Sequence, residues 1–171
     1  MKKEKLTKYG FIVLSLLISG GIIYFRNDLA NLKEFGLLGI FFISILGNAT
    51  IVIPAPVVVT AFVGGSVFNP YLVGVITAAG ATIGELTGFL AGHGGTAVVK
   101  ETKKYKKIKK WMHKSGFLTI SVLAAIPNPL FDLAGIISGV TKYPLYKFLT
   151  ATFIGKTIKF VTIAVIGSLA F

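Results

Sequence analysis

Four ionisable side chains sit where the sequence is otherwise apolar: Glu85 in GATIGELTGFLAGHGG, Asp132 in IPNPLFDLAG, and Lys156 and Lys159 in FIGKTIKFV. Each charge held at bilayer depth costs about 2.5–3.5 kcal/mol, and four facing lipid would cost on the order of 10 kcal/mol. They must therefore face one another or a wet cavity, and the sequence points first to a Glu85–Lys156 pair across two long apolar segments. Two roles fit such charges. They are buried ion pairs that hold helices together, or they line a polar cavity for a charged substrate. Lys159 has a third option, because its long stem can snorkel to an interface, so it ranks below Lys156.

Two proline pairs sit close to these charges in sequence. IPAP carries Pro54 and Pro56, and IPNP carries Pro127 and Pro129. Proline suits the first position of a helix, where no donor is lost, so Asn128 can cap a helix opening at Pro129. Ala55 occupies the matching position before Pro56. Each break then leaves a helix N-terminus, with free N–H groups and a positive dipole, inside the apolar region. That end suits phosphate or carboxylate. Asp132, in the first turn, favours its own helix dipole but would repel a phosphate. It is then protonated, paired with a lysine or engaged with a coupling cation; the alternative is a purely structural acid.

The elements that position these groups belong to a membrane. Only 14% of the 171 residues are charged, against about 25% in a soluble domain, and the mean hydropathy is +0.80. Residues 35–84 contain no Asp, Glu, Lys or Arg. A bilayer-spanning helix needs only about 20 apolar residues, whereas a soluble chain of this size could not bury so long an uncharged run. The absence of cysteine removes disulfides, thiolate metal sites and cysteine nucleophiles. His93 lies among glycines and His113 among lysines, and no nucleophile–base constellation appears. The sequence therefore implies no enzyme, no cofactor and no metal. The net charge of +12 comes largely from lysine runs beside apolar segments, so the anionic partner is lipid rather than nucleic acid.

Charge placement sets the topology. The apolar run 9–25 lacks an A-x-A cleavage site and reads as an uncleaved anchor helix. Residues 1–8 and 100–114 are cytoplasmic and 26–34 lies outside. The chain divides into residues 1–34, with basic end, anchor and external loop, and a membrane domain over 35–171. Within that domain the reading gives a re-entrant segment 35–69, a span 70–99, a basic cytoplasmic segment 100–114, a re-entrant segment 115–142 and a span 143–171. The stretch 57–68 is too short to cross. IPAPVVVTAFVGGSVFNPY and IPNPLFDLAGIISGVTKYPL share the P-x-P, a small-residue patch and a second proline at nearly equal spacing. The halves enter from opposite faces, which makes an inverted repeat of the kind found in transporters. The expected fold is an all-α polytopic membrane protein: two re-entrant helical hairpins in inverted repeat, each followed by a transmembrane helix, plus the anchor. Glycines spaced three or four apart serve close helix packing. In 100–114, Tyr105, Ile108, Trp111 and Met112 fall on one helical face, with Lys103, Lys104, Lys106 and Lys107 around the rest. That suits a helix lying on anionic lipid; a solvated basic loop is the alternative.

GATIGELTGFLAGHGG, KSGFLTISVLAAIPNPLFDLAGIISG and FLTATFIGKTIK together resemble the VTT domain of the DedA and SNARE-associated Golgi protein superfamily. The likeness covers roughly Phe35 to Lys159 and is nearest to the vacuole membrane protein branch and its small bacterial YqaA-like relatives. The resemblance implies two inverted re-entrant hairpins. It also implies an activity: eukaryotic members scramble phospholipids, and bacterial ones are implicated in undecaprenyl phosphate recycling and membrane homeostasis, with proton coupling. By position it assigns the family's glutamate to Glu85 and the second hairpin's signature to Pro127, Asn128, Pro129, Asp132 and Gly135. Many bacterial DedA proteins carry arginines around this signature, whereas here no arginine follows Arg26. That favours the vacuole-membrane-protein variant, with Lys156 supplying the positive charge. The expected protein moves phospholipid or polyprenyl-phosphate headgroups between leaflets of a prokaryotic inner membrane, with its N-terminus cytoplasmic. Its partners are lipids with anionic or phosphate-bearing headgroups and a coupling proton or cation; a homo-oligomer is compatible with the sequence. The rivals are a proton- or cation-coupled carrier of a small solute and a non-transporting membrane scaffold.

Overall fold

Residues 33–49, 55–94, 102–128 and 130–170 are described by the computed structural model. The expected anchor over 9–25 and its flanks up to residue 32 lie outside the described residues, as do Pro54, residues 95–101 and Pro129. The described elements are all helices: α1 Lys33–Ala49, α2 Ala55–Val67, α3 Pro70–Gly84, α4 Leu86–His93, α5 Lys103–Ala125, α6 Leu130–Val140 and α7 Leu145–Ala170.

Local chemistry explains where several of them begin and end. The Asn69 side chain accepts from the backbone N–H of Tyr71 at 3.0 Å and of Leu72 at 3.2 Å. With Pro70 at the first helical position, this is a capped start of α3. At the other end of α6, Tyr143 N–H donates to Ser138 O at 2.8 Å and Lys142 N–H to Gly139 O at 3.0 Å. These two bonds form a Schellman closure, and Lys142 takes the left-handed position, φ 52°, that glycine usually fills. Helix α5 breaks at Ser115 (φ −158°, ψ 85°), separating its lysine-rich first half from an apolar second half.

Pro70–His93, 24 residues, and Leu145–Ala170, 26 residues, are long and apolar enough to cross a membrane. At 1.5 Å per residue both exceed the ~30 Å hydrocarbon core. Glu85 joins α3 to α4 without breaking the ladder: its N–H donates to Ala81 O at 3.2 Å and its carbonyl accepts from Phe89 N–H at 3.1 Å. By contrast α2 and α6, with 13 and 11 residues, rise only about 20 and 17 Å. On α1 the outward side chains are Leu38, Phe42 and Leu46, 54%, 59% and 68% exposed. Such a stripe on one face of a helix belongs against acyl chains rather than water. The chain is an integral membrane protein.

The packing has an exchange pattern. Helix α3 packs along α7, with Gly74 against Val161 at one end and Glu85 reaching Lys156 at the other, an antiparallel register. Helix α1 packs on α3 and α2 on α7; α5 packs on α7 and α6 on α4. In each pair of arms, the first lies on the long helix that follows it in sequence and the second lies on the other half's long helix. Glycines make the crossed contacts close. A Cβ on Gly167 would meet the backbone of Phe62, and one on Gly139 would meet the backbone of Phe89 and His93.

One expectation changes here. The first half of α5 is helical, but Tyr105, Ile108 and Met112 are buried in the protein core with Phe89, Phe131 and Ile137. They do not face lipid. Trp111 stays outside, 41% exposed. The apolar stripe is covered by the bundle because α4 and α6 leave an apolar surface there.

Candidate functional site

Lys156 lies midway along α7 with its side chain fully buried. Its ammonium donates to Glu85 Oε1 at 2.7 Å and to Asn48 Oδ1 at 2.6 Å, and the Phe131 ring centroid lies 5.0 Å away. The ion pair expected from sequence is thus present, and it joins the two long helices. Removing an ion from water carries a penalty of several kcal/mol even after relaxation. The penalty is offset only where the remaining donors find partners, and Asn48 and the aromatic face supply them.

Asn48 is the residue that sequence reading missed. It sits at the C-terminal end of α1, where its Nδ2 donates to Ser44 O at 2.9 Å. That bond fixes the amide orientation and leaves Oδ1 aimed at the ammonium. The signal was present: the uncharged run 35–84 holds two asparagines, and Asn69 is explained by the proline after it, whereas Asn48 has no turn chemistry of its own. Phe131 was missed as well, because an aromatic residue beside Asp132 looks like ordinary lipid-facing bulk.

Asp132 stands in the first turn of α6, half-buried. It is within electrostatic range of Glu85, Lys156 and Lys159. Among the described residues no hydrogen bond or ion pair engages its carboxylate. Lys159 is half-buried, its ammonium 4.7 Å from the Phe160 ring centroid, and it feels the charges of Lys156, Glu85 and Asp132. Gly135, one turn beyond Asp132, passes close to the pair: a Cβ there would lie 3.9 Å from Glu85 Oε2. Two acids and two lysines therefore share one region inside the helices.

Hydroxyls add to it. Most buried Thr and Ser side chains here donate to the carbonyl four residues back, as Thr60 does to Pro56 O and Thr82 to Ala78 O. The hydroxyls of Thr77, Ser121, Thr152 and Thr157 are buried without a hydrogen-bond partner among the described residues. Thr152 is one turn before Lys156 and Thr157 adjoins it, so α7 carries surplus polarity on both sides of the pair. An unmet buried hydroxyl costs about 1–3 kcal/mol.

The other sequence candidates fall elsewhere. Asn128 Oδ1 accepts from Leu130 N–H at 2.8 Å, while its Nδ2 donates to Leu123 O at 3.0 Å and Ile126 O at 2.8 Å. It caps α6 as its position suggested and ties α5 to α6; its amide is committed to backbone. Pro127 is exposed in that turn, and Pro56 is buried at the second position of α2. Lys103, Lys104, Lys106 and Lys107 lie exposed on α5.

The VTT domain family model matches residues 53–169. Among curated proteins, the chain is 48% identical over 60 residues to vacuole membrane protein KMS2 of Arabidopsis thaliana, which covers 33% of this chain and 14% of that protein. It is 41% identical over 78 residues to KMS1 of the same plant, covering 43% and 16%. To human vacuole membrane protein 1 it is 51% identical over 51 residues, covering 30% and 13%. The matches thus span about one-seventh of these relatives' length. No solved structure matches.

Proposed function

Since this chain belongs to the VTT domain family, we propose that it moves lipid headgroups, of phospholipid or polyprenyl phosphate, between the two leaflets of its membrane. The observation that carries the reading is the buried Glu85–Lys156 pair, with Asp132 and Lys159 beside it, inside helices that turn large apolar side chains outward, as Leu38, Phe42, Leu46, Ile154 and Ile158 do. A headgroup cannot cross hydrocarbon without exchanging its water for other polar partners. The cluster offers both signs: lysines for phosphate, and acids for a cationic headgroup group or a coupling proton. Asp132 is the acid free to serve, since Glu85 is occupied by Lys156. The tails need no shelter and stay in lipid.

We read the short arms as two re-entrant hairpins in inverted repeat. Support comes from the lengths of α2 and α6, too short to cross, and from the exchange packing, in which each half contributes one arm to the other's long helix. On this reading the chain is a transporter rather than an enzyme. Its relatives are named for the vacuole membrane, which points away from the prokaryotic inner membrane expected above, so the proposal names the bilayer and not the compartment.

The test is reconstitution into liposomes carrying fluorescent phospholipid or polyprenyl phosphate, with headgroup exposure read by an impermeant quencher. A parallel arm follows proton-driven uptake of small solutes. Asp132→Ala and the paired replacement Glu85→Leu/Lys156→Met should slow lipid translocation while folded protein is still recovered. Full translocation in both variants removes the mechanism; solute uptake without lipid movement favours the carrier.

A further inference from the structure

We propose that the lysine face of α5 holds a patch of anionic lipid headgroups against the protein. Between Thr102 and Lys114 the sequence carries seven lysines and no acid. Lys103, Lys104, Lys106, Lys107, Lys110 and Lys114 are all exposed. The opposite face cannot turn away, because Tyr105, Ile108 and Met112 are locked in the core and Ser138 Oγ contacts Met112 Sδ at 3.9 Å. The helix is therefore fixed with its charges outward.

The arrangement is unfavourable by itself. Lys103 stands four residues from Lys107, Lys107 three from Lys110, and Lys110 four from Lys114; like charges at these spacings repel. Lys103 and Lys104 also occupy the first turn, where the helix dipole is positive and which itself holds no acid. An anionic counter-surface relieves both costs.

Lipid is the counter-surface that the neighbouring residues favour. Immediately beyond the break at Ser115, Phe117, Leu118 and Val122 are exposed and apolar, so the second half of the same helix faces acyl chains. Trp111, one turn before that break, is exposed beside Lys107, whose ammonium lies 4.9 Å from its ring centroid. An aromatic ring backed by lysines at the edge of an apolar surface is the make-up of a headgroup-level anchor. This inference does not rest on lipid translocation, since a carrier or scaffold would gather the same lipids.

Trp111 is the only tryptophan in the chain, so its fluorescence reports on this face without any activity assay. In proteoliposomes, brominated phosphatidylglycerol at low mole fraction should quench Trp111 as if enriched roughly two- to five-fold over bulk, given the attraction of surface lysines for anionic lipid. Brominated phosphatidylcholine at the same mole fraction should show no enrichment. Replacing Lys103, Lys104, Lys106, Lys107 and Lys110 together by Gln should abolish the excess, replacement by Arg should keep it, and high salt should weaken it. Equal quenching by the two lipids, or an excess that survives the Gln variant, overturns the proposal. So does an absence of quenching by either lipid, which would leave the face to an acidic protein or nucleic acid.

Discussion

Removing one charge from the Glu85–Lys156 pair should harm this protein more than removing both. Glu85→Leu leaves the Lys156 ammonium with only Asn48 Oδ1 at 2.6 Å and the Phe131 face, at full burial. Lys156→Met leaves the Glu85 carboxylate buried without its cation. Breaking a buried pair from one side costs about 3–5 kcal/mol, whereas replacing both partners by apolar groups of similar volume is often neutral or stabilising by about 1–4 kcal/mol. Each single variant should therefore lose most of its resistance to denaturant, and Glu85→Leu/Lys156→Met should return to within about 1 kcal/mol of the parent. Denaturation in detergent, followed through Trp111, reads the stability half. The same three proteins in liposomes read the other half: the double variant should be stable and slow in lipid translocation. Singles as stable as the parent would mean that the pair is wet rather than buried. A double variant that is stable and fully active would reduce the pair to a structural tie and remove the main support for lipid movement.

Two local predictions use the same unfolding assay. Asn128→Ala should cost about 1 kcal/mol as a lost helix cap, and Asn128→Asp should recover part of it, because the acceptor for Leu130 N–H is kept while the donors to Leu123 O and Ile126 O are lost. An Asp variant no more stable than the Ala variant would put the weight on the donors instead. Gly135→Ala and Gly139→Ala, one turn apart on α6, should behave differently. The first adds a methyl at ordinary contact distance from Phe148 and Glu85, whereas the second drives one into the backbone of α4 and should cost about 1–3 kcal/mol as overpacking. Equal costs would contradict the close α4–α6 crossing.

Much of this architecture was legible because hydrocarbon leaves few choices. The uncharged run 35–84 requires a membrane, Asn69–Pro70 announces a helix start through chemistry that is entirely local, and four intramembrane charges must find one another. That last constraint points to Glu85–Lys156, although the residues are 71 apart in sequence. Asn48 escaped because an amide carries no comparable penalty: it can turn its polar end toward its own helix, as its Nδ2 does toward Ser44 O, and only tertiary packing decides what its oxygen meets. The face of α5 escaped for a different reason. At 100° per residue, Tyr105, Ile108 and Met112 form one stripe and Trp111 lies about 90° from its centre, so a generous reading merges them. Periodicity identifies an apolar face but not the apolar medium that covers it, and beside a membrane there are two, protein and lipid. The structure divides them at Trp111. The stripe goes to the bundle, and this one ring, too far round the helix to follow, is left outside with the lysines.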